Sequence, residues 1–266
     1  MGITLITSQP NSQAMGAVLV VSHDTIASAQ ISEVFREHAL SVEVSFGISA
    51  ALNRLNKCKF EAVVLDSSLT SQAHVLQHIH TSASNRTAVT FALTSGRANT
   101  ARALTEGFGF VLERPLTPDA IRHTLRVAYG MIVRERRRHY RHPIAVPAVF
   151  RRKAALEVFG KTINISERGM ALSTLTALAP DSEGTVRFTL PDLQQEIRAE
   201  CRVCWNRENG EAGLSFLFLP SNLATELQAW LTQKLEKQLP EFVAEKFRQS
   251  NLALSQEVHD EDSPAG

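Results

Sequence analysis

The feature that most constrains this chain is a change of pattern at Pro143. Upstream of it, five short apolar runs alternate with segments of helical period: Val18 to Val21, Val42 to Phe46, Ala62 to Leu65, Ala88 to Leu93 and Gly109 to Leu112. Thr25 to His38 is one such segment, with Ile26, Ala29, Ile31, Val34 and Phe35 forming an apolar stripe. Five strand-then-helix repeats predict an α/β domain with a doubly wound parallel sheet covered on both faces. Chemistry in such a sheet gathers at the carboxyl ends of the strands, which here carry Ser22, His23, Asp24, Asp66, Thr94 and Arg114. Pro118 to Arg138 then reads as one long helix, with Ile121, Leu125, Ala128 and Ile132 on one face. Pro118 suits its first turn, and Pro143 stops it, because the residue before a proline is pushed toward extended geometry.

Beyond Pro143 the pattern is that of β structure. Ile144 to Phe150, Leu156 to Ile163, Met170 to Leu175, Thr185 to Leu190, Ile197 to Trp205 and Ala212 to Phe218 are strand-like, separated by turns such as PDSEGT and RENGEA. Six strands without intervening helices predict a closed antiparallel barrel. Leu223 to Leu239 follows as a helix with Leu223, Leu227, Trp230, Leu231 and Leu235 on one face, and a second helical stretch runs past Pro240 to Leu254. A chain of 266 residues suits two domains. The expected division is a disordered leader over 1–16, the α/β domain over 17–133, the barrel over 134–219, helices over 220–254 and a disordered acidic tail over 255–266.

Net charge is only +1, so any electrostatic function rests on local clustering. Arg134, Arg136, Arg137, Arg138 and Arg141 crowd into one stretch. A basic stretch of this kind also suits a nucleic-acid backbone, but Tyr140 is its one aromatic and no recognition helix accompanies it, so DNA is not an expected partner. No apolar run is long enough to cross a bilayer, and Met1 to Gly16 lacks the basic and apolar regions of a secretory signal, so a cytoplasmic location without membrane insertion is expected. Cys58, Cys201 and Cys204 give no even disulfide framework. Cys201 and Cys204 form a CxxC on a strand, where a spacing of three sends the thiols to opposite faces. His74 and His78 stand four apart on a helix, but no HExxH glutamate accompanies them, and no metal site is expected. No paired carboxylates, Gly-rich phosphate loop or nucleophile with a positioned base can be assembled, so the chain is not expected to be an enzyme.

Over Ala17 to Val133 the chain resembles the receiver domains of response regulators. VVLD places Asp66 at the family's phospho-accepting aspartate, ALTS places Thr94 at its hydroxyl position, and VLERP places Arg114 where the family has lysine. Where the family carries an acidic pair, VVSHD has Ser22 and His23, leaving only Asp24 nearby. Mg²⁺ needs carboxylate oxygens, and phosphoryl transfer to Asp66 needs that ion. A receiver fold kept as an interaction module, with no Mg²⁺ or other cofactor, is therefore the expectation.

Arg137-x-x-x-Arg141 precedes the first barrel strand, and Asn164-x-Ser166-x-x-Gly169 joins the second to the third. In this order, with GLSFLFL closing the barrel, they resemble the PilZ family of cyclic di-GMP receptors. That resemblance implies a ligand site of Arg136, Arg137, Arg141, Asn164, Ser166 and Gly169. Guanidinium forks bind both phosphate oxygens and the O6/N7 edge of guanine. Asn164 offers a donor and an acceptor to a guanine edge, Ser166 a hydroxyl, and Gly169 close backbone approach. The family more often has aspartate at the position of Asn164. Arg134 and Arg138 share the arginine spacing, but the family's second arginine stands directly before the first strand, which selects Arg137 and Arg141. The expected function is a cyclic di-GMP effector in bacterial second-messenger signalling, in which ligand draws the arginine segment onto the barrel, changes the receiver–barrel orientation and alters binding of a downstream protein. The alternative is a phosphorylation-driven response regulator, with Asp66 as acceptor and the barrel as a docking output. Self-association through either apolar helical stripe is a further expectation.

Overall fold

The computed structural model describes residues 14–152, 157–193 and 195–249. The chain divides into two compact units, one ending at Arg136 and resuming at Glu236, the other spanning Arg137–Leu235.

The first unit is built on β1 (Gly16–Val21), β2 (Leu40–Ser45), β3 (Ala62–Asp66), β4 (Val89–Ser95) and β5 (Phe110–Arg114), with α1 (Thr25–Glu37), α2 (Ile48–Lys57), α3 (Gln72–Thr81), α4 (Arg97–Thr105) and α5 (Pro118–His139) between and after them. All neighbouring strands pair in parallel, in the order β2-β1-β3-β4-β5. This is the flavodoxin-like doubly wound order. Central strands β1 and β3 are buried at every residue, which is why they read as unbroken apolar runs, whereas edge strand β2 is half-buried in its middle. α5 buries Ile121, Leu125, Ala128 and Ile132, as their spacing predicts.

Three expectations need correction here. In α1 the buried apolar residues are Ala27, Ile31, Val34 and Phe35, while Ile26 is 73% exposed and Ala29 is exposed too. Ile26 lies about 100° around the helix from Ala27, off the inward stripe. At the other end of the reading, the leader does not extend to residue 16: Met15 is buried, its N–H donates to Ala39 O at 2.8 Å, and β1 starts at Gly16. Residues 1–13 and the expected acidic tail lie outside the described residues. Third, the last helical stretch, 241–249, falls in the first unit, burying Val243, Ala244 and Phe247, with Lys246 Nζ donating to Glu37 O. The rest of that stretch, to Leu254, also lies outside the described residues.

The second unit is a closed barrel. β7 (Pro147–Arg152), β8 (Glu157–Ser166), β9 (Gly169–Thr174), β10 (Glu183–Phe188), β11 (Ile197–Asn206) and β12 (Glu211–Phe218) follow the ring order β8-β7-β10-β11-β12-β9, and β8–β9 pairing shuts it. Every pairing is antiparallel. Ile165, Met170, Leu214 and Val203 occupy one cross-strand row and point inward, each no more than 4% exposed. A two-residue strand, β6 (His142–Pro143), pairs antiparallel with Asn164 and Ile165 of β8, beyond the stretch of β8 that pairs with β7. α6 (Ser221–Glu236) is part of this unit rather than a separate appendage after Leu219. Its buried Trp230 donates from Nε1 to Pro191 O at 2.8 Å, and Lys234 pairs with Asp192 at 3.0 Å. The helix stops at Glu236, three residues short of the expected end.

Candidate ligand-binding site

Two polar clusters are candidates, one in each unit. At the carboxyl end of the parallel sheet, Asp66 is 1% exposed. Its Oδ2 accepts from Ser22 Oγ at 2.5 Å and Arg114 Nη2 at 2.8 Å. Its Oδ1 accepts from Ser68 N at 3.0 Å, Ser68 Oγ at 2.8 Å and Arg114 Nη1 at 3.4 Å. Arg114 Nη2 also reaches Asp24 Oδ2 at 3.2 Å, and Asp24 caps α1 by accepting from Ala27 N at 2.9 Å. Burial raises the Asp66 pKa, but the bonds from Arg114, Ser22 and Ser68 outweigh it and hold the carboxyl below its ordinary range. A carboxylate offers about four lone-pair positions, and these are engaged by the guanidinium fork and two serines. Thr94 Oγ1 is likewise hydrogen-bonded to Thr100 Oγ1 at 3.0 Å, and His23 is exposed. A hard divalent ion or an incoming phosphoryl group would need the oxygens that Arg114 already holds. The residues present therefore do not fit Mg²⁺.

The second cluster is a corner on the outside of the barrel, and β6 makes it. His142 pairs with Ile165 and Pro143 with Asn164, so the end of the arginine segment is fastened beside the N-x-S-x-x-G turn. Tyr140 and His142 secure this fastening. The Tyr140 hydroxyl lies 2.9 Å from His142 Nδ1, and the imidazole stands edge-on to Trp230, with centroids 5.1 Å apart. Arg141 is exposed next to them, while Arg137 lies partly buried in the last turn of α5. Asn164 Oδ1 is buried and has no hydrogen-bond partner among the described residues. A buried acceptor left in that state costs about 1–3 kcal/mol. Such an atom marks a place where a donor is wanted.

The remaining residues of the turn have more structural duties than their sequence suggests. Ser166 Oγ donates to Gly169 O at 3.0 Å, which spends its proton on closing the turn and leaves its lone pairs as acceptors. Gly169 is needed because β9 and β12 meet closely there: a Cβ would lie 2.1 Å from Leu214 O. Arg136 falls in the parallel-sheet unit, with Nε buried, where its charge acts on Glu61. Glu61 is 1% exposed, donor-bonded by Ala17 N at 2.6 Å, and raised in pKa by its burial. Sequence reasoning missed β6 and the Tyr140–His142–Trp230 packing; the one available signal was the Tyr-x-His-Pro run between the arginines and the barrel.

The other residues considered above have ordinary settings. Cys201 faces the barrel interior, where burial pushes its thiol up to about 12, and Cys204 is exposed. His78 Nε2 lies 2.9 Å from Asn56 Oδ1 on the surface.

No curated protein matches the chain. Among solved structures, the chemotaxis response regulator CheY4 of Vibrio cholerae is similar at 16% identity and a TM-score of 0.39, over 43% of this chain and 98% of that one. The receiver domain of a Francisella response regulator is similar at 21% identity and a TM-score of 0.37, over 43% and 96%. The PilZ domain of CeSA from a cellulose-synthesizing bacterium is similar at 17% identity and a TM-score of 0.30, over 36% and 97%. The family model for the PilZ domain matches residues 135–233, a span that takes in the second arginine pair, β6, the N-x-S-x-x-G turn, the whole barrel and most of α6. Residues 135–233 of this chain are a PilZ domain.

Proposed function

We propose that this protein is a cyclic di-GMP effector in bacterial second-messenger signalling, binding its ligand at the barrel corner through Arg137, Arg141, Asn164, Ser166 and Gly169. The observation that supports this reading is the β6–β8 pairing, which sets His142 and Pro143, the residues directly after Arg141, opposite Ile165 and Asn164, whose Oδ1 is buried without a hydrogen-bond partner among the described residues. Cyclic di-GMP offers what that corner lacks. Guanine N–H groups supply donors for Asn164 Oδ1, and the phosphates and the O6/N7 edges take the arginine forks. Arg137 sits in the last turn of α5, the helix along which the chain passes from one unit to the other. Ligand that engages Arg137 and Arg141 together therefore acts on that helix end, and we propose that this changes the orientation of the units and the binding of a downstream protein. Isothermal titration with cyclic di-GMP tests the reading: heat is expected on the wild type and its loss on Arg137→Ala plus Arg141→Ala. No heat on the wild type at micromolar protein overturns it.

In this reading Asp66 is a structural anchor and the parallel-sheet unit an interaction module, because Arg114, Ser22 and Ser68 hold the carboxylate. Incubation with Mg²⁺ and acetyl phosphate is expected to leave the mass unchanged. A stoichiometric phosphoryl gain would restore the phosphorylation-driven alternative.

A further inference from the structure

The helical stretch 241–249 brings the chain back toward the arginine end of α5. Lys246 Nζ donates to the carbonyl of Glu37, the last residue of α1. The carbonyl of the next residue, His38, accepts from Tyr129 Oη on α5 at 3.0 Å, and the two rings stand edge to face with centroids 6.0 Å apart. Val243, Ala244 and Phe247 are buried, so the stretch is packed into the parallel-sheet unit. Arg134 lies five residues beyond Tyr129 on the same helix, about 7.5 Å at 1.5 Å per residue.

The end of α5 is a run of cations. Arg134 opens it, exposed and in no ion pair among the described residues. Beyond Gln249 the charge changes sign. Residues 250–266 lie outside the described residues, and their sequence holds Glu257, Asp260, Glu261 and Asp262 with no lysine or arginine. Setting these four carboxylates apart raises the net charge of the chain from +1 to +5. Glu257 is eight residues from Gln249 and Asp262 thirteen, so an extended chain spans about 26 Å to the first and about 43 Å to the last at 3.3 Å per residue. Lys246 and Arg134 are linked by two side-chain contacts and five residues of helix, a path within that reach.

We propose that the acidic segment Glu257–Asp262 docks on the arginines that end α5, anchored at Arg134, and competes there with the anionic ligand. Carboxylates and phosphates take the same guanidinium fork, so the segment is a built-in rival of a phosphate. Exposed ion pairs are individually weak, but a short tether holds the carboxylates near the arginines at millimolar effective concentration. A ligand with two phosphates fixed in a ring has the advantage that fewer torsions must be ordered on binding. The docking stands apart from the ligand's identity; the competition rests on the cyclic di-GMP reading above.

The test uses the full chain with Glu257→Gln, Asp260→Asn, Glu261→Gln and Asp262→Asn together, which leaves the described residues untouched. Without ligand, labelling of Arg134 by phenylglyoxal, read by peptide mass spectrometry, is expected to be about 3- to 10-fold faster in the neutralised chain at low salt. The two rates are expected to converge in high salt, where such pairs are screened. Calorimetry is expected to show cyclic di-GMP bound about 3- to 10-fold more tightly by the neutralised chain, and Arg134→Ala to remove most of that difference. Equal labelling and equal affinity overturn the docking and leave the ligand reading standing. Faster labelling with unchanged affinity overturns the competition. Faster labelling with no heat from either chain overturns the ligand reading and leaves the docking standing. Protection of Arg134 that grows with protein concentration puts the segment on a second molecule and overturns the intramolecular form.

Discussion

The two polar clusters are made of similar groups and end in opposite conditions. At the carboxyl end of the parallel sheet, an arginine, two serines and a carboxylate satisfy one another. At the barrel corner an arginine stands exposed, a serine is half spent on its own turn, and a buried amide oxygen has no donor among the described residues. Residue type alone does not separate the two. What separates them is unspent hydrogen-bonding capacity: a saturated cluster holds the fold, and an unsaturated one has something left to offer a ligand.

The sharpest break of this comparison exchanges the arginines. Arg137→Ala plus Arg141→Ala is expected to weaken cyclic di-GMP binding by about 100-fold or more, at about 1.5–3 kcal/mol for each charged hydrogen-bonding group lost, with little change in melting of the parallel-sheet unit. Arg114→Ala is expected to do the reverse. It strands a buried carboxylate and destabilises its unit by on the order of 3 kcal/mol, while calorimetric affinity for the ligand stays the same. Both tryptophans, Trp205 and Trp230, belong to the barrel unit, so a urea melt followed by indole fluorescence should be unmoved by Arg114→Ala while far-ultraviolet circular dichroism shows the loss.

A smaller change sharpens the contrast within the corner. Asn164→Asp supplies a charged acceptor for guanine N–H groups and is expected to tighten binding about tenfold, the effect of one bond becoming charge-assisted. The smallest effect is one of pH. Burial, and then the charge of Lys234, hold the His142 pKa below its ordinary 6.5. A lowered value means that the contribution of His142 is intact above 6.5 and lost as pH falls through the folded-state value. Hydrogen exchange over residues 140–146, corrected for intrinsic rates, should therefore speed up as pH drops from 7 toward 5, and His142→Phe should flatten that response.

Much of the architecture was legible because burial wrote it into periodicity. The five apolar runs became the five parallel strands, and the turn-separated runs after Pro143 became the barrel. The N-x-S-x-x-G pattern marked the turn between β8 and β9, since Gly169 allows the close approach of β12 and Ser166 closes the turn on it. What escaped was set by long-range contact. β6 is two residues long and includes a proline, too short for any period to show. Arg136 and Arg137 are neighbours in sequence, and only packing assigns them to different units. The inward face of α1 was misjudged by one residue, since Ile26 and Ala27 are both apolar and only the sheet beneath decides between them.

The two hydrogen-bonded residues of β6 have a consequence for the speed and economy of ligand capture. By fixing the chain at His142 and Pro143, they make Arg141 a resident of the barrel surface, so that under the proposed function its meeting with a ligand touching Asn164 would be an intramolecular event. The tether between arginine and anchor is a single peptide bond, and loop-closure entropy is near its minimum at that length. Residues inserted between Arg141 and His142 would lengthen the leash and dilute the arginine around its own site, although every side chain of the motif would still be present.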